Sequence, residues 1–264
     1  ELLGILSPDG RRPVDMREVL LRLVDDSAFL EFGERYGSAT VCANARLDGH
    51  PLGIITNNGP IDADGATKAT HFIQACCQSN TPILYLNNTT GYIVGKAYEE
   101  AGMIKHGSKQ IQALSNARVP QITIQCGASF GAGNYALCGK AFDPRLIFAW
   151  PNSRCAVMGS DQATSTLLDI TVKSLERQGH AIDAQELAQL RDQVKGDYDR
   201  AMDARYGAAR LWVDFLMSEE GQKILAEKEF TISGRSNFKS PVPDQVPTID
   251  QMKLIKIDWT KISA

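Results

Sequence analysis

Two stretches of small and polar residues stand where main-chain chemistry is possible. One is Asn87-Asn88-Thr89-Thr90-Gly91-Tyr92, after a short apolar run; the other is Gly127-Ala128-Ser129-Phe130-Gly131-Ala132-Gly133-Asn134-Tyr135, between a predicted strand and a predicted helix. With no bulky side chain in the way, backbone N–H groups can approach a ligand, and a helix starting near Gly131 adds the positive end of its dipole. Two such amides make an oxyanion hole, where loss of one donor costs about 3 kcal/mol of transition-state stabilisation. The same glycines also suit tight turns and close helix–strand packing, so spacing alone leaves both readings open.

Side-chain chemistry is harder to assemble. Gly127-Ala128-Ser129-Phe130-Gly131 fits G-x-S-x-G literally, which suggests an esterase nucleophile with His106 or His180 as its base. Nothing in the sequence brings either histidine to Ser129, and His106 beside Lys105 reads as structural or surface. Glu99 and Glu100 read as a solvated helix face. The six cysteines (Cys42, Cys76, Cys77, Cys126, Cys138, Cys155) include no C-x-x-C pair, and the four histidines are scattered, so no metal is expected. Reduced, mostly buried thiols fit a cytoplasmic protein of this size better than a disulfide framework. Both G-x-G-x-x-G and G-x-x-x-x-G-K-[ST] are missing, so a nucleotide reading lacks its loop.

The elements that must position the two loops follow from periodicity. An amphipathic helical region is predicted over Arg11–Phe32, with Asp15 as a possible cap. Strands are predicted over Ser38–Leu47 and Leu52–Thr56, with a turn at His50-Pro51 between them. A helix over Ala66–Gln78 leads to a strand at Ile83–Leu86, a helix over Ala97–Ala117 interrupted by glycines, and a strand at Gln121–Cys126. Two short strands, Arg145–Trp150 and Cys155–Met158, precede a wholly helical, charged stretch from Asp161 to Ala204, with Asp183 as a cap. Strand, polar loop, helix, strand is the rhythm of an α/β architecture with largely parallel strands.

The chain has 264 residues, enough for a sizeable core, and its 28 basic and 31 acidic residues leave a net charge of -3. That balance argues against a nucleic-acid or anionic-membrane partner, either of which calls for a basic excess. Apolar residues at 43% exclude wholesale disorder, and no apolar run approaches the roughly 20 residues of a membrane span. The start, Glu1-Leu2-Leu3-Gly4, shows no basic region or cleavage site, so no signal peptide is expected. A start without Met suggests a processed or partial product.

The two loops, together with Gly53-Ile54-Ile55-Thr56-Asn57-Asn58-Gly59, His71-Phe72-Ile73-Gln74-Ala75-Cys76-Cys77-Gln78, Thr90-Gly91-Tyr92-Ile93-Val94-Gly95, Lys105-His106-Gly107, Ser129-Phe130-Gly131-Ala132-Gly133-Asn134-Tyr135, Trp150-Pro151-Asn152 and Ala209-Arg210-Leu211-Trp212, carry a resemblance. Residues 1–214 resemble the C-terminal half of the carboxyltransferase (beta) subunit of biotin-dependent acyl-CoA carboxylases, in the methylcrotonoyl-CoA and geranyl-CoA branch. The resemblance implies a crotonase-like (ClpP/crotonase) fold, a β-β-α superhelix with peripheral helices. It implies carboxyl transfer from N1-carboxybiotin to the γ-carbon of an α,β-unsaturated acyl-CoA, with biotin itself as the base. The protein then mainly positions substrates and stabilises oxyanions.

Carried onto this chain, the resemblance assigns the backbone N–H groups of Ala132 and Gly133 to the biotin ureido oxygen. It assigns Gly91, Tyr92, Phe130 and Gly131 to the biotin pocket, and makes Ser129 a turn residue. It implies as partners an acyl-CoA substrate, a biotin-carboxylase and carrier (alpha) subunit, the CoA-binding N-terminal half of the beta subunit, and a homo-oligomer, hexameric in the family. Three departures accompany it, the first being that the CoA-binding N-terminal half has no counterpart in these residues, so activity of this chain by itself is not expected. Where the family reads Val-Met-Gly-Gly-Glu, this chain has Val157-Met158-Gly159-Ser160-Asp161, and beyond Asp214 the likeness changes. Residues 215–264 resemble the C-terminal region of periplasmic iron-type substrate-binding proteins, or else form an atypical helical and extended tail. A solute-binding module, suggested by that tail, and an inactive scaffold of the same fold are the alternatives.

Overall fold

The computed structural model describes residues 2–5, 14–178 and 183–205. The chain divides into two compact units, Glu1–Ala204 and Arg205–Ala264. All the described helices and strands belong to the first unit; the expected tail from 215 to 264 and the segment Ala209–Trp212 lie outside the described residues.

After a short helix α1 (Leu2–Ile5) and helix α2 (Arg17–Leu23), three strands run antiparallel: β1 (Phe29–Glu31), β2 (Thr40–Leu47) and β3 (His50–Asn57). Helix α3 (Ala63–Gln78) then crosses to β4 (Ile83–Thr89), parallel to β3. Helices α4 (Lys96–Glu100) and α5 (Met103–Ser115) lead to β5 (Gln121–Phe130), parallel to β4. Helix α6 (Ala132–Ala136), strands β6 (Leu146–Ala149) and β7 (Arg154–Ala156), and helices α7 (Ser160–Arg177) and α8 (Ala184–Met202) complete the order. The long strand β5 pairs twice on one side, with β6 through Ile122–Gln125 and with β7 through Ala128–Phe130.

The central strands are apolar on both faces, as a sheet covered on both sides requires. Cys42, Ile55, Ile83 and Tyr85 meet Phe72 and Ile73 of α3 and Leu114 of α5. Their neighbours Val41, Ala43, Ile54, Leu84 and Leu86 meet Met16, Val19 and Leu20 on the opposite face. Burial of a side chain such as Phe72 or Ile73 contributes about 1.5–3 kcal/mol, and this double layer fixes where β4 and β5 end. Asp183 caps α8 as the sequence suggests, accepting from the Glu186 N–H at 2.8 Å, and Asp62 caps α3, accepting from the Gly65 N–H at 2.6 Å.

Three expectations change. Among the described residues, the helix predicted over Arg11–Phe32 is α2, which ends because Val24 is extended and Asp26 and Ser27 adopt positive φ, turning Phe29–Glu31 into a strand on β2. The turn between β2 and β3 is Asp48-Gly49, not His50-Pro51, with His50 opening β3. The helix over Ala97–Ala117 breaks at Gly102, whose φ is +85. Under β1 lies a charged group: the Lys68 ammonium, its side chain fully buried, is 3.6 Å from Glu31, which Arg17 grips through two 2.7 Å hydrogen bonds.

Candidate functional site

The ends of β4 and β5 carry the two loops to one place. Strand β5 runs to Phe130, through residues expected to be loop, because Ser129 pairs with Thr89 of β4 on one side and Cys155 of β7 on the other. The turn shrinks to Gly131, at φ +53, a left-handed conformation that favours glycine. The Gly131 N–H donates to the Ala156 carbonyl at 2.9 Å, and the Asn134 N–H returns to the Gly131 carbonyl at 3.2 Å. The two amides between them, Ala132 and Gly133, open the first turn of α6, where a helix supplies no acceptor of its own. Among the described residues no side chain accepts from either.

Gly91 comes against this turn. A Cβ placed on Gly133 lies 2.7 Å from the Gly91 Cα and 2.8 Å from Thr89 Cγ2, so the two backbones approach at a distance only glycine permits. Gly91 has φ +115, its N–H donates to Thr89 Oγ1 at 3.2 Å, and Thr89 Oγ1 donates to the Gly59 carbonyl at 2.9 Å. A third loop closes the other flank: the Val157 carbonyl is 3.0 Å from a Cβ placed on Gly131, and a Cβ on Gly159 meets the Phe130 ring at 3.9 Å. Tyr198 of α8 holds that loop, its hydroxyl donating to the Met158 carbonyl at 3.0 Å. The departures Ser160 and Asp161 begin α7 beside it, and Asp161 pairs with Lys195 of α8.

Of the residues expected to form the pocket, Gly91, Phe130, Gly131, Ala132 and Gly133 gather here. Tyr92 does so through its backbone alone. Its ring turns onto α5 at Gly107, where a Cβ would meet the ring carbons at 3.2 Å, and its hydroxyl lies 3.1 Å from Gln110 Oε1 and 3.3 Å from the Gly107 carbonyl. That burial pushes the Tyr92 phenol well above its ordinary pKa.

Among the described residues the esterase arrangement does not form. Ser129 is fully buried and its Oγ accepts from Asn134 Nδ2 at 2.8 Å and from Asn87 Nδ2 at 3.2 Å. His106 is engaged elsewhere, its Nδ1 2.8 Å from Thr67 Oγ1, and His180 lies outside the described residues. Ser129 is a structural link among loops, and Asn87 and Asn134 are partners that sequence reasoning missed. The signal for them was weak: an asparagine in a polar, turn-rich run looks solvated until a buried hydroxyl faces it. Cys42, Cys76, Cys126 and Cys138 are buried, and burial pushes the thiols of Cys76 and Cys138 up to about 11 and that of Cys126 up to about 12. A groove of about 810 Å³ between α3 and α5, lined by His71, Gln74, Lys109 and Gln112 among others, shares none of the residues of the glycine loops. Among the described residues no helix is long and apolar enough to cross a membrane.

Comparison with known proteins bears on what these loops serve. The family named Carboxyl transferase domain matches residues 1–239, across the boundary expected at 214. A probable biotin-dependent acyl-coenzyme A carboxylase beta2 subunit of Mycobacterium tuberculosis is 49% identical over 200 residues, 75% of this chain and 38% of that protein. The biotin-dependent 3-methylcrotonyl-coenzyme A carboxylase beta1 subunit of the same organism is 42% identical over 214 residues, 81% of this chain and 40% of the relative. Among solved structures, the beta subunit of geranyl-CoA carboxylase from P. aeruginosa superimposes with a TM-score of 0.71 at 49% identity, covering 80% of this chain and 40% of that one. Transcarboxylase 12S, described as a hexamer assembly and solved with methylmalonyl-coenzyme A bound, gives 0.72 at 30% identity, covering 79% and 39%. The chain thus spans about two fifths of the length of these relatives.

Proposed function

Because the chain belongs to the carboxyl transferase domain family, with its crotonase-like fold, we propose that residues 1–214 form the biotin-side half of an acyl-CoA carboxyltransferase site. The single observation that carries the reading is the pair of amides at Ala132 and Gly133 in the first turn of α6, with no side-chain acceptor among the described residues and with Gly91 packed against Gly133.

A ureido group fits that arrangement. Its oxygen takes two N–H donors, and the glycine walls leave backbone, with no side chain, beside a flat ring. Bound carboxybiotin supplies the carboxyl group and, once relieved of it, the base. This chain's own part is to hold the ureido oxygen at the Ala132 and Gly133 amides, where developing negative charge is stabilised by fixed dipoles. Gly91 and Gly131 set the width of the slot, and the Phe130 ring and the loop at Val157–Gly159 form one side of it. No side-chain acid or base of this chain is needed, which agrees with the engagement of Ser129 and His106 in structural bonds.

The substrate of the completed enzyme is an α,β-unsaturated acyl-CoA, methylcrotonoyl- or geranyl-CoA, carboxylated at its γ-carbon in the cytosol. The thioester is bound by the CoA-binding half of the beta subunit, and biotin arrives on the carrier of an alpha subunit. A homo-oligomer, hexameric as in the transcarboxylase relative, brings the halves together. Exposed Leu146, Ile147 and Phe148 on the edge strand β6 offer apolar surface of the kind such contacts use.

Ala132→Pro tests the reading, since proline at the first helical position removes one N–H while suiting the helix. In an assembly with the CoA-binding half and biotinylated carrier, carboxylation of methylcrotonoyl- or geranyl-CoA should fall by about 10²–10³. Unchanged turnover in the correctly assembled variant overturns the proposal.

A further inference from the structure

Gln110 of α5 is fully buried, and it bonds both to the residue that follows Gly91 and to the end of the helix that opens with Ala132 and Gly133. Its Nε2 donates to the Ala136 carbonyl at 3.1 Å, and its Oε1 lies 3.1 Å from the Tyr92 hydroxyl. The orientation of the amide is fixed chemically: a carbonyl oxygen only accepts, so the NH₂ group must face Ala136 and the oxygen must receive the Tyr92 O–H. Ala136 ends α6, whose opening amides are those of Ala132 and Gly133; Tyr92 follows Gly91 directly.

A helix of five residues has no stability of its own and stays where its neighbours hold it. At its start, α6 is pinned by the Gly131 N–H on Ala156. At its end, Gln110 satisfies a carbonyl that the helix leaves open. The Gly91 segment is joined to the Ile61 strand segment on one side, through Ile61 N–H to the Gly91 carbonyl at 2.9 Å, and through Tyr92 to Gln110 on the other.

We infer that Gln110 is a positioning residue, a neutral tether that sets the spacing between Gly91 and the Ala132–Gly133 amides. The inference rests on the reading of α6 as the oxyanion-binding element. Gln110 acts on the biotin side only, because its two bonds go to the residue that follows Gly91 and to the end of α6. Being an amide, Gln110 does not itself titrate.

The test compares Gln110→Met, which keeps length and loses both bonds, with Tyr92→Phe, which keeps the ring against Gly107 and loses one. In the assembled carboxylase, Gln110→Met should raise KM for the biotinylated carrier about tenfold and Tyr92→Phe about threefold, with KM for acyl-CoA unchanged. The double variant should match Gln110→Met, since the Tyr92 hydroxyl has then already lost that partner. Equal movement of both KM values, additive effects, or no change in either variant overturns the inference while leaving the Ala132→Pro result standing. Where the wild-type assembly shows no biotin-dependent turnover, the proposed function falls, and hydrogen exchange of the full chain judges the tether. Faster exchange in Tyr92→Phe at both Gly91–Ile93 and Ala132–Leu137, together and without change in β2 and β3, supports it. Unaltered exchange at either segment sinks it.

Discussion

Two buried polar groups hold this molecule together in opposite ways. Under β1, Lys68, Glu31 and Arg17 are charged, and the Lys68 ammonium has a carboxylate at 3.6 Å but no hydrogen-bond acceptor among the described residues. Behind the glycine loops the buried groups are neutral: Gln110 on Tyr92 and Ala136, and Ser129 with Asn87 and Asn134. A buried charge is unforgiving when its partner goes, whereas neutral amides orient their neighbours with modest energy and firm geometry. Stability is therefore concentrated in one region and placement in the other.

The largest effect should come from breaking the charged group. Glu31→Ala leaves Lys68 buried without a counter-charge and should lower unfolding free energy by about 3–5 kcal/mol in urea titration. In the assembled enzyme at a temperature where the variant is folded, KM for the biotinylated carrier should stay as in wild type; a change there would dissolve the contrast. Gly133→Ala reverses the pattern. The new methyl meets backbone at Gly91, and displacement of the α6 amides should reduce carboxylation about a hundredfold. A loss of stability as large as that of Glu31→Ala, with turnover kept in the folded fraction, would contradict it. The smallest effect sharpens the comparison: Ser129→Ala removes the acceptor of the buried Asn87 amide and of the half-buried Asn134 amide and should lower stability by about 1–3 kcal/mol. Hydrolysis of a simple ester such as p-nitrophenyl acetate should not change, because among the described residues the Ser129 hydroxyl meets only the amides of Asn87 and Asn134.

The same contrast explains what could be read from the residues. The two-sided apolar runs of β3 and β4 and the cap Asp183 announce themselves through local chemistry, and the structure contains them. Gly127-Ala128-Ser129 looks like loop because its residues are small and polar; it is strand because β4 and β7 pair on both its sides, information held far away in sequence. The Arg11–Phe32 prediction fails for a related reason, since Phe29–Glu31 becomes strand only in the presence of Ala43–Ala45. At the site, residue types identified Gly91 and the Gly131–Gly133 turn as places for main-chain chemistry, and left open whether they served packing. The two uses are compatible, for Gly133 is at once the close contact and an N–H in the open first turn of α6. Gln110 gave no signal. A glutamine in an amphipathic helix reads as surface, and only Tyr92 and Ala136, brought in from other elements, give it a reason to be inside.

The approach of Gly133 to Gly91 limits how this slot can be changed by breeding or design. At Gly133 not even a methyl group fits, and at Gly91 the positive φ of +115 strains any other residue, so a library randomised at Gly133 should return glycine alone and one at Gly91 should favour it. Reshaping for a bulkier or slimmer guest must begin at the rim, where the Val157 side chain, 75% exposed, has room to vary.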